Sequence, residues 1–187
     1  MAKVGGYWQE TYLISLARKG GSDIEFAAKC DDVKFGGGAR GITLKTLVNG
    51  GNLVQFNPQE LWSVTMTIYP ADILQVDNLF FGDYADATTP PFLTTNSLVH
   101  VEMRFVLTFT DDLTLTTAAG ATAASKAGYR IYATGGYITN AALDSSGKEL
   151  KCEVTIEFPP FTPAAVGNLR RESTNTADVL AALGAYT

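Results

Sequence analysis

From Glu149 to Phe158 the chain reads ELKCEVTIEF, and Leu150, Cys152, Val154, Ile156 and Phe158 alternate strictly with Glu149, Lys151, Glu153, Thr155 and Glu157. A period of two sends successive side chains to opposite faces of a strand, so this run has one face for a core and one for water. Just upstream, Tyr129, Ile131 and Ala133 alternate with Arg130, Tyr132 and Thr134 until Gly135 and Gly136 interrupt. Paired glycines inside a strand mark a bulge or a close backbone approach. Asp144, Ser145, Ser146 and Gly147 supply turn chemistry between the runs, which predicts two strands with one wet face.

The same pattern recurs along the chain. Leu61 to Tyr69 sets Trp62, Val64, Met66 and Ile68 against Ser63, Thr65 and Thr67. Leu98 to Thr110 sets Val99, Val101, Met103, Phe105, Leu107 and Phe109 against His100, Glu102, Arg104, Thr108 and Thr110, with Val106 as the exception. Shorter strands are expected around Tyr12, Ile14 and Leu16, over 24–29, and from Ile42, with a hairpin turn at Asn49, Gly50, Gly51 and Asn52. Pro70 stops a ladder and can open a helix; Ile73, Val76 and Phe80 then share one face and Gly82 ends it, so a helix is predicted over 70–81. A second short helix is expected between Thr176 and Gly184. The stretches 30–41, 83–96 and 110–126 read as loops, the last either flexible or ordered only against a neighbour. The expected fold is mainly β: an antiparallel β-sandwich or barrel-like subunit with one flanking α-helix, long loops and a C-terminal arm. It forms a single domain over 1–187, with an N-terminal arm at 1–21 and a C-terminal arm at 162–187.

At 187 residues, 46% of them hydrophobic, the chain can bury a sizeable core, and its formal charge of -5 argues against a surface built to clamp phosphates. Cys30 and Cys152 lack metal or disulfide-framework spacing, and Cys152 falls on an apolar strand face as a buried reduced thiol. The glycines around Phe35 and Arg40 lead into a strand instead of the Gly-Lys-Ser/Thr and helix of a phosphate loop. His100 has no nucleophile elbow beside it, and Asp31 with Asp32, Asp83 with Asp86, and Asp111 with Asp112 lack calcium-loop spacing. No catalytic residue, metal or cofactor is therefore expected. The N-terminus has no apolar leader and no run is long enough to span a bilayer, so synthesis in a cytoplasm without membrane insertion is expected. The aromatics Phe80, Phe81, Tyr84 and Phe92 suit packing against a sheet or neighbour, or, with Trp62, a sugar platform. Long amphipathic strands leave edges prone to pairing, which ordered assembly with copies of the same chain would cover.

LWSVTMTIYPADI, then HVEMRFVLTF, GYRIYATGGYITN, an acidic-serine turn, KELKCEVTIEFPPF and an Asn-bearing tail follow in an order that resembles the tail tube (major tail) proteins of tailed phages and archaeal tailed viruses. The likeness runs over 61–171 and rests on strand order. It implies a non-enzymatic virion protein, made in the host cytoplasm, whose hexameric rings stack into the hollow tail tube that conducts viral DNA without binding it specifically. Its implied partners are further copies of itself and other tail proteins such as the tape measure and tail terminator. Carried onto this chain, the polar strand faces would line the lumen: Glu102, Arg104, Arg130, Glu149, Lys151, Glu153 and Glu157. Subunit contacts would fall on Phe35, Arg40, Tyr84, Phe92, Arg170 and Arg171. The competing readings are a capsid or decoration protein and a carbohydrate-binding β-sandwich.

Overall fold

The computed structural model describes residues 11–20, 23–25, 30–70, 101–147, 149–160, 168–174 and 179–187. They form strands β1 (Thr11–Arg18), β2 (Asp23–Glu25), β3 (Cys30–Gly37), β4 (Ile42–Thr46), β5 (Asn52–Phe56), β6 (Trp62–Ile68), β7 (Met103–Thr110), β8 (Gly128–Asp144), β9 (Lys151–Phe158) and β10 (Leu169–Ser173). The fold is mainly β and antiparallel, as the alternation predicts. The helix expected over 70–81 and the loop 83–96, with Tyr84, Phe92 and His100, lie outside the described residues.

Strand β8 organises the rest. The sheet runs β2-β1-β7-β8-β9-β6-β3, with β10 on β8 off this path. The first half of β8 pairs with β7 and β10, its second half with β9. Between the halves the register slips: Met103 faces Gly136, whereas Phe105 faces Ala133. Gly135 sits there at φ +77°, a backbone conformation that a side chain penalises. A Cβ on Gly136 would come within 2.7 Å of Phe158 Cζ and 2.8 Å of Ile156 Cγ2. The glycine pair is thus the corner at which the strand leaves one sheet half for the other, and the second glycine lets β9 pack against it.

The two halves close on one core. Ile14, Leu16, Phe105, Leu107 and Ala133 meet Trp62, Val64, Met66, Ile68, Val154, Ile156 and Phe158. Trp62 stacks on its cross-strand partner Phe158 with ring centroids 4.4 Å apart and planes 13° from parallel. The buried indole Nε1 meets no acceptor among the described residues, so packing holds the ring. Trp62→Ala should therefore destabilise the fold by about 3 to 5 kcal/mol in urea denaturation, as for other buried aromatic truncations.

Three sequence expectations need correction. Residues 30–37 are strand β3 and not loop, because Gly36 and Gly37 pair with Ser63 and Trp62 at its end. The 110–126 stretch orders against its own sheet: Leu115 and Ala118 pack on Leu13 and Val106 as a second small core. That explains why Val106 breaks the polar alternation of its strand. The tail over 179–187 is extended and not helical, because the loop takes its backbone groups. Leu180 N donates to Thr122 Oγ1 at 2.9 Å, Thr122 N to Leu180 O at 3.1 Å, and Leu183 N to Ala119 O at 2.8 Å. The long strand expected from Leu98 begins at Met103 among the described residues.

Loop order also depends on Asp112, which is 1% exposed. Its Oδ1 accepts from Thr114 N at 3.0 Å and Thr114 Oγ1 at 2.6 Å, and its Oδ2 from Ala123 N at 2.6 Å. The Ala123 amide first, then the Thr114 hydroxyl, hold its carboxyl below the ordinary value of 3.8. A depressed folded pKa adds stability that is complete above the unfolded value and is lost as pH falls through the folded one. Melting temperature followed from about pH 6 down to about pH 2.5 should fall at the acid end, and Asp112→Asn should flatten part of that slope.

Candidate functional site

Alternation gives sheet half β6-β9 a polar outer face. Ser63 faces Glu157, Thr65 faces Thr155 and Thr67 faces Glu153 across the β6–β9 ladder. The Thr65 and Thr155 hydroxyls lie 3.3 Å apart, and Lys151 Nζ stands 5.7 Å from the Tyr69 ring centroid. Lys151, Glu153 and Glu157 therefore share one face; Glu149 is exposed just before β9. Glu102 lies apart, bonded to Lys19 Nζ at 3.4 Å and accepting a short hydrogen bond from Tyr186 Oη.

Arg104 and Arg130 do not lie on a wet face, which corrects the sequence reading. They project from the outer face of β7 and β8, but the 111–127 segment and the tail cover that face. Arg130 is fully buried. Its Nε donates to Ala118 O at 3.1 Å and Thr108 Oγ1 at 3.3 Å, its Nη1 to Ala181 O at 2.7 Å and Glu172 Oε2 at 3.3 Å, and its Nη2 to Gly120 O. Burial lowers the guanidinium pKa and Glu172 opposes that shift; arginine nevertheless keeps its charge at any physiological pH. Arg104 Nη1 donates to Gly184 O at 2.6 Å, and its guanidinium lies 5.8 Å from the Tyr186 ring centroid. Both arginines fasten the C-terminal strap.

The proposed contact residues scatter. Phe35 is half exposed and meets the core at Phe105, ring edge to face, 6.1 Å between centroids. Arg40 is exposed at the base of the β4–β5 hairpin. Arg170 Nη1 reaches Tyr132 Oη at 3.4 Å, and Arg171 is exposed beside it on β10.

The feature that residue-by-residue reading missed is the exposed apolar face of the β4–β5 hairpin. Ile42 pairs with Phe56, Leu44 with Val54, Lys45 with Leu53. Directly paired residues share a face, so Ile42, Leu44, Val54 and Phe56 form one apolar face. These residues are 61%, 66%, 48% and 61% exposed. Gly50 at φ +80° closes the turn with Leu47 N donating to Gly51 O at 2.7 Å, where the Asn-Gly-Gly-Asn signal predicts it. The base is laddered by Gly38 N to Leu61 O at 2.9 Å and Glu60 N to Ala39 O at 3.0 Å. A lone two-stranded ribbon is marginally stable in water, and an uncovered apolar face of this kind marks an interaction surface.

Beside the hairpin base lies an apolar cleft of about 700 Å³, lined by Leu61, Gly135, Tyr137, Ile138, Phe158 and Pro159, with Glu102 and Glu157 among its walls. Among the described residues no group of three or more His, Cys, Asp or Glu could hold a metal, and no helix is long and apolar enough to cross a membrane.

No protein-family profile and no curated protein sequence matches this chain. Solved structures of similar outline exist. One is a chain of the anti-feeding prophage baseplate, seen by cryo-EM, at 9% identity and TM-score 0.49, matching 92% of this chain and 97% of that one. Another belongs to the sheath–tube complex of an extracellular contractile injection system, at 9% identity and TM-score 0.44, over 86% of this chain and 88% of that one. A third is the crystal structure of an Hcp protein, at 12% identity and TM-score 0.37, over 88% of this chain and 99% of that one. At these scores neither shared ancestry nor function passes from those proteins to this one, so the chain's own surfaces must carry its functional reading.

Cys152 is a fully buried free thiol on the core face of β9, as the alternation predicts. Burial pushes its pKa up to about 12, so it lacks the thiolate that nucleophilic chemistry requires.

Proposed function

We propose that this protein is a structural subunit that assembles with copies of itself into rings, that the rings stack into a hollow tube of the tail-tube kind, and that it catalyses no reaction. The single observation that carries this reading is the β4–β5 hairpin, with its four large apolar side chains presented to solvent on one face of a projecting ribbon. Such a ribbon gains its stability by docking on another surface. Among the described residues strands β2 and β3 end the sheet path as edges, which a neighbouring copy would cover in a closed assembly.

In this reading the whole chain acts as one domain whose terminal segments serve as arms. The polar face bearing Lys151, Glu153 and Glu157 faces the lumen, with Glu149 beside it. Three glutamates against one lysine give a mildly acidic wall that viral DNA passes without adhering, because like charges do not bind. Arg104 and Arg130 have no part in that wall, being spent on the fold. Phe35, Arg40, Arg170 and Arg171 lie at the rims where copies meet. The assembly belongs to a virion or virion-like particle, with tape-measure and terminator proteins as further partners.

Sedimentation velocity over a hundredfold range of protein concentration tests this reading. The expected result is a monomer giving way to a large, discrete species. A single monomeric boundary throughout the range would overturn it.

A further inference from the structure

Two apolar layers of unequal size hold the described residues together. The inner core joins both sheet halves through side chains such as Ile14, Trp62, Phe105 and Phe158, and it holds no carboxylate. The outer layer, where the 111–127 segment and the 179–187 strap cover β7 and β8, centres on Leu13, Val106, Leu115 and Ala118. Carboxylates supply there what apolar contact does not. Asp112 ties Thr114 N to Ala123 N across the segment, and Thr122 beside it exchanges hydrogen bonds with Leu180 of the strap. Glu172 is the counter-charge of the buried Arg130, which also donates to Ala118 O, Gly120 O and Ala181 O. Glu102 accepts from Tyr186 Oη farther along the strap and pairs with Lys19 Nζ at 3.4 Å.

The surroundings of these three acids decide what protonation does. Asp112 faces Lys126, whose attraction is weaker than its hydrogen bonds. Glu172 faces Arg130, with Tyr132 and Arg104 near that guanidinium and Arg170 on the same face of β10. Glu102 faces Lys19 and Tyr186, whose ring lies by Arg104 and near Tyr137. A protonated carboxyl carries a donor where it had only acceptors, so Asp112 then fails one of its amide or hydroxyl partners. Neutral Glu172 leaves Arg130 as a buried cation without its counter-charge, and such a cation is drawn to water. Lifting the segment and strap is what hydrates it, whereas no group of the inner core changes charge on acidification. The Ala123 amide first, then the Thr114 hydroxyl, hold the Asp112 carboxyl below its ordinary 3.8, so its contribution is whole above that value and is lost as pH falls through the lower folded one.

We propose that the 111–127 segment and the 179–187 strap form one acid-released cover, which leaves the outer face of β7 and β8 as a unit while the two sheet halves stay closed on the inner core. Asp112, Glu172 and Glu102 are its fastenings. Release uncovers Arg130, Arg104, Val106 and Leu13, and it is a property of the single subunit, independent of assembly.

Hydrogen exchange read by mass spectrometry tests this on the full chain, in pulses from about pH 6 down to about pH 2.5, corrected for the intrinsic rate at each pH. The expected result is a fall of roughly tenfold or more in the protection of fragments spanning 111–127 and 179–187, at a pH where fragments spanning β6 and β9 keep theirs. Asp112→Asn and Glu172→Gln, each alone, should begin with a less protected cover at about pH 6 and show a smaller further fall on acidification. Cover and core losing protection together in the parent chain would overturn the proposal, as would a cover that stays protected until the whole chain unfolds. A step of unchanged depth and midpoint in both variants would overturn the assignment to these carboxylates. If Asp112→Asn does not fold, Glu172→Gln and the order of loss in the parent chain still decide.

Discussion

Replacing Arg130 with methionine should lower the free energy of unfolding by about 3 to 5 kcal/mol, the cost typical of removing one partner from a buried charged network. The guanidinium joins the 111–127 segment, β10 and the C-terminal strap at one point, through Ala118, Gly120, Glu172 and Ala181. Methionine fills much of the volume but takes the guanidinium donor from the Gly120 and Ala181 carbonyls and the cation from Glu172, while Ala118 O keeps the Thr108 hydroxyl at 2.7 Å; an orphaned buried polar group costs about 1 to 3 kcal/mol before relaxation. Arg130→Lys should recover only part of the loss, because one ammonium cannot span a planar fork of donors. Urea denaturation measures the size of the effect. Hydrogen exchange locates it: amides of Leu180 and Leu183 should lose protection first, since their acceptors, Thr122 Oγ1 and Ala119 O, lie in the released loop. A change below about 1 kcal/mol would mean that the strap is held by its apolar contacts alone.

The second large effect concerns assembly and not folding. Ile42→Ser/Phe56→Ser removes a cross-strand apolar pair whose members are 61% exposed each, so the monomer should keep its stability within about 0.5 kcal/mol. If that face is an interface anchor, each truncation costs about 2 kcal/mol or more per contact, close to a 30-fold loss in association constant. The double variant should sediment as monomer at concentrations where the parent chain assembles. Unchanged assembly, with folding intact, would remove the hairpin from the account of how copies meet.

Much of the fold was legible because alternation depends only on which face is apolar. The core side of β6, β7 and β9 and the buried Cys152 follow from it, while turn residues gave the Asp144 turn and paired glycines the corner at Gly135 and Gly136. What alternation cannot reveal is whether the opposite face meets water or a second layer. Arg104 and Arg130 occupy polar positions on amphipathic strands, yet Thr-, Ala- and Gly-rich chain that reads as loop covers them. Val106 was the available signal: an apolar residue at a polar position of β7 marks a second layer over that sheet half. The tail misled for a related reason, since helical spacing over 176–184 is weaker than the hydrogen bonds that Thr122 and Ala119 offer to an extended chain. The hairpin's turn was plain in the sequence, but its exposed apolar face was not, because amphipathic ribbons look alike whether their own core or a neighbour covers them.

Electron microscopy of the purified, concentrated protein tests the central claim most directly. The account predicts closed rings with an open centre, singly and in stacks, each ring holding a fixed number of copies. A field of uniform single subunits at every concentration, from a protein shown to be folded, would contradict it.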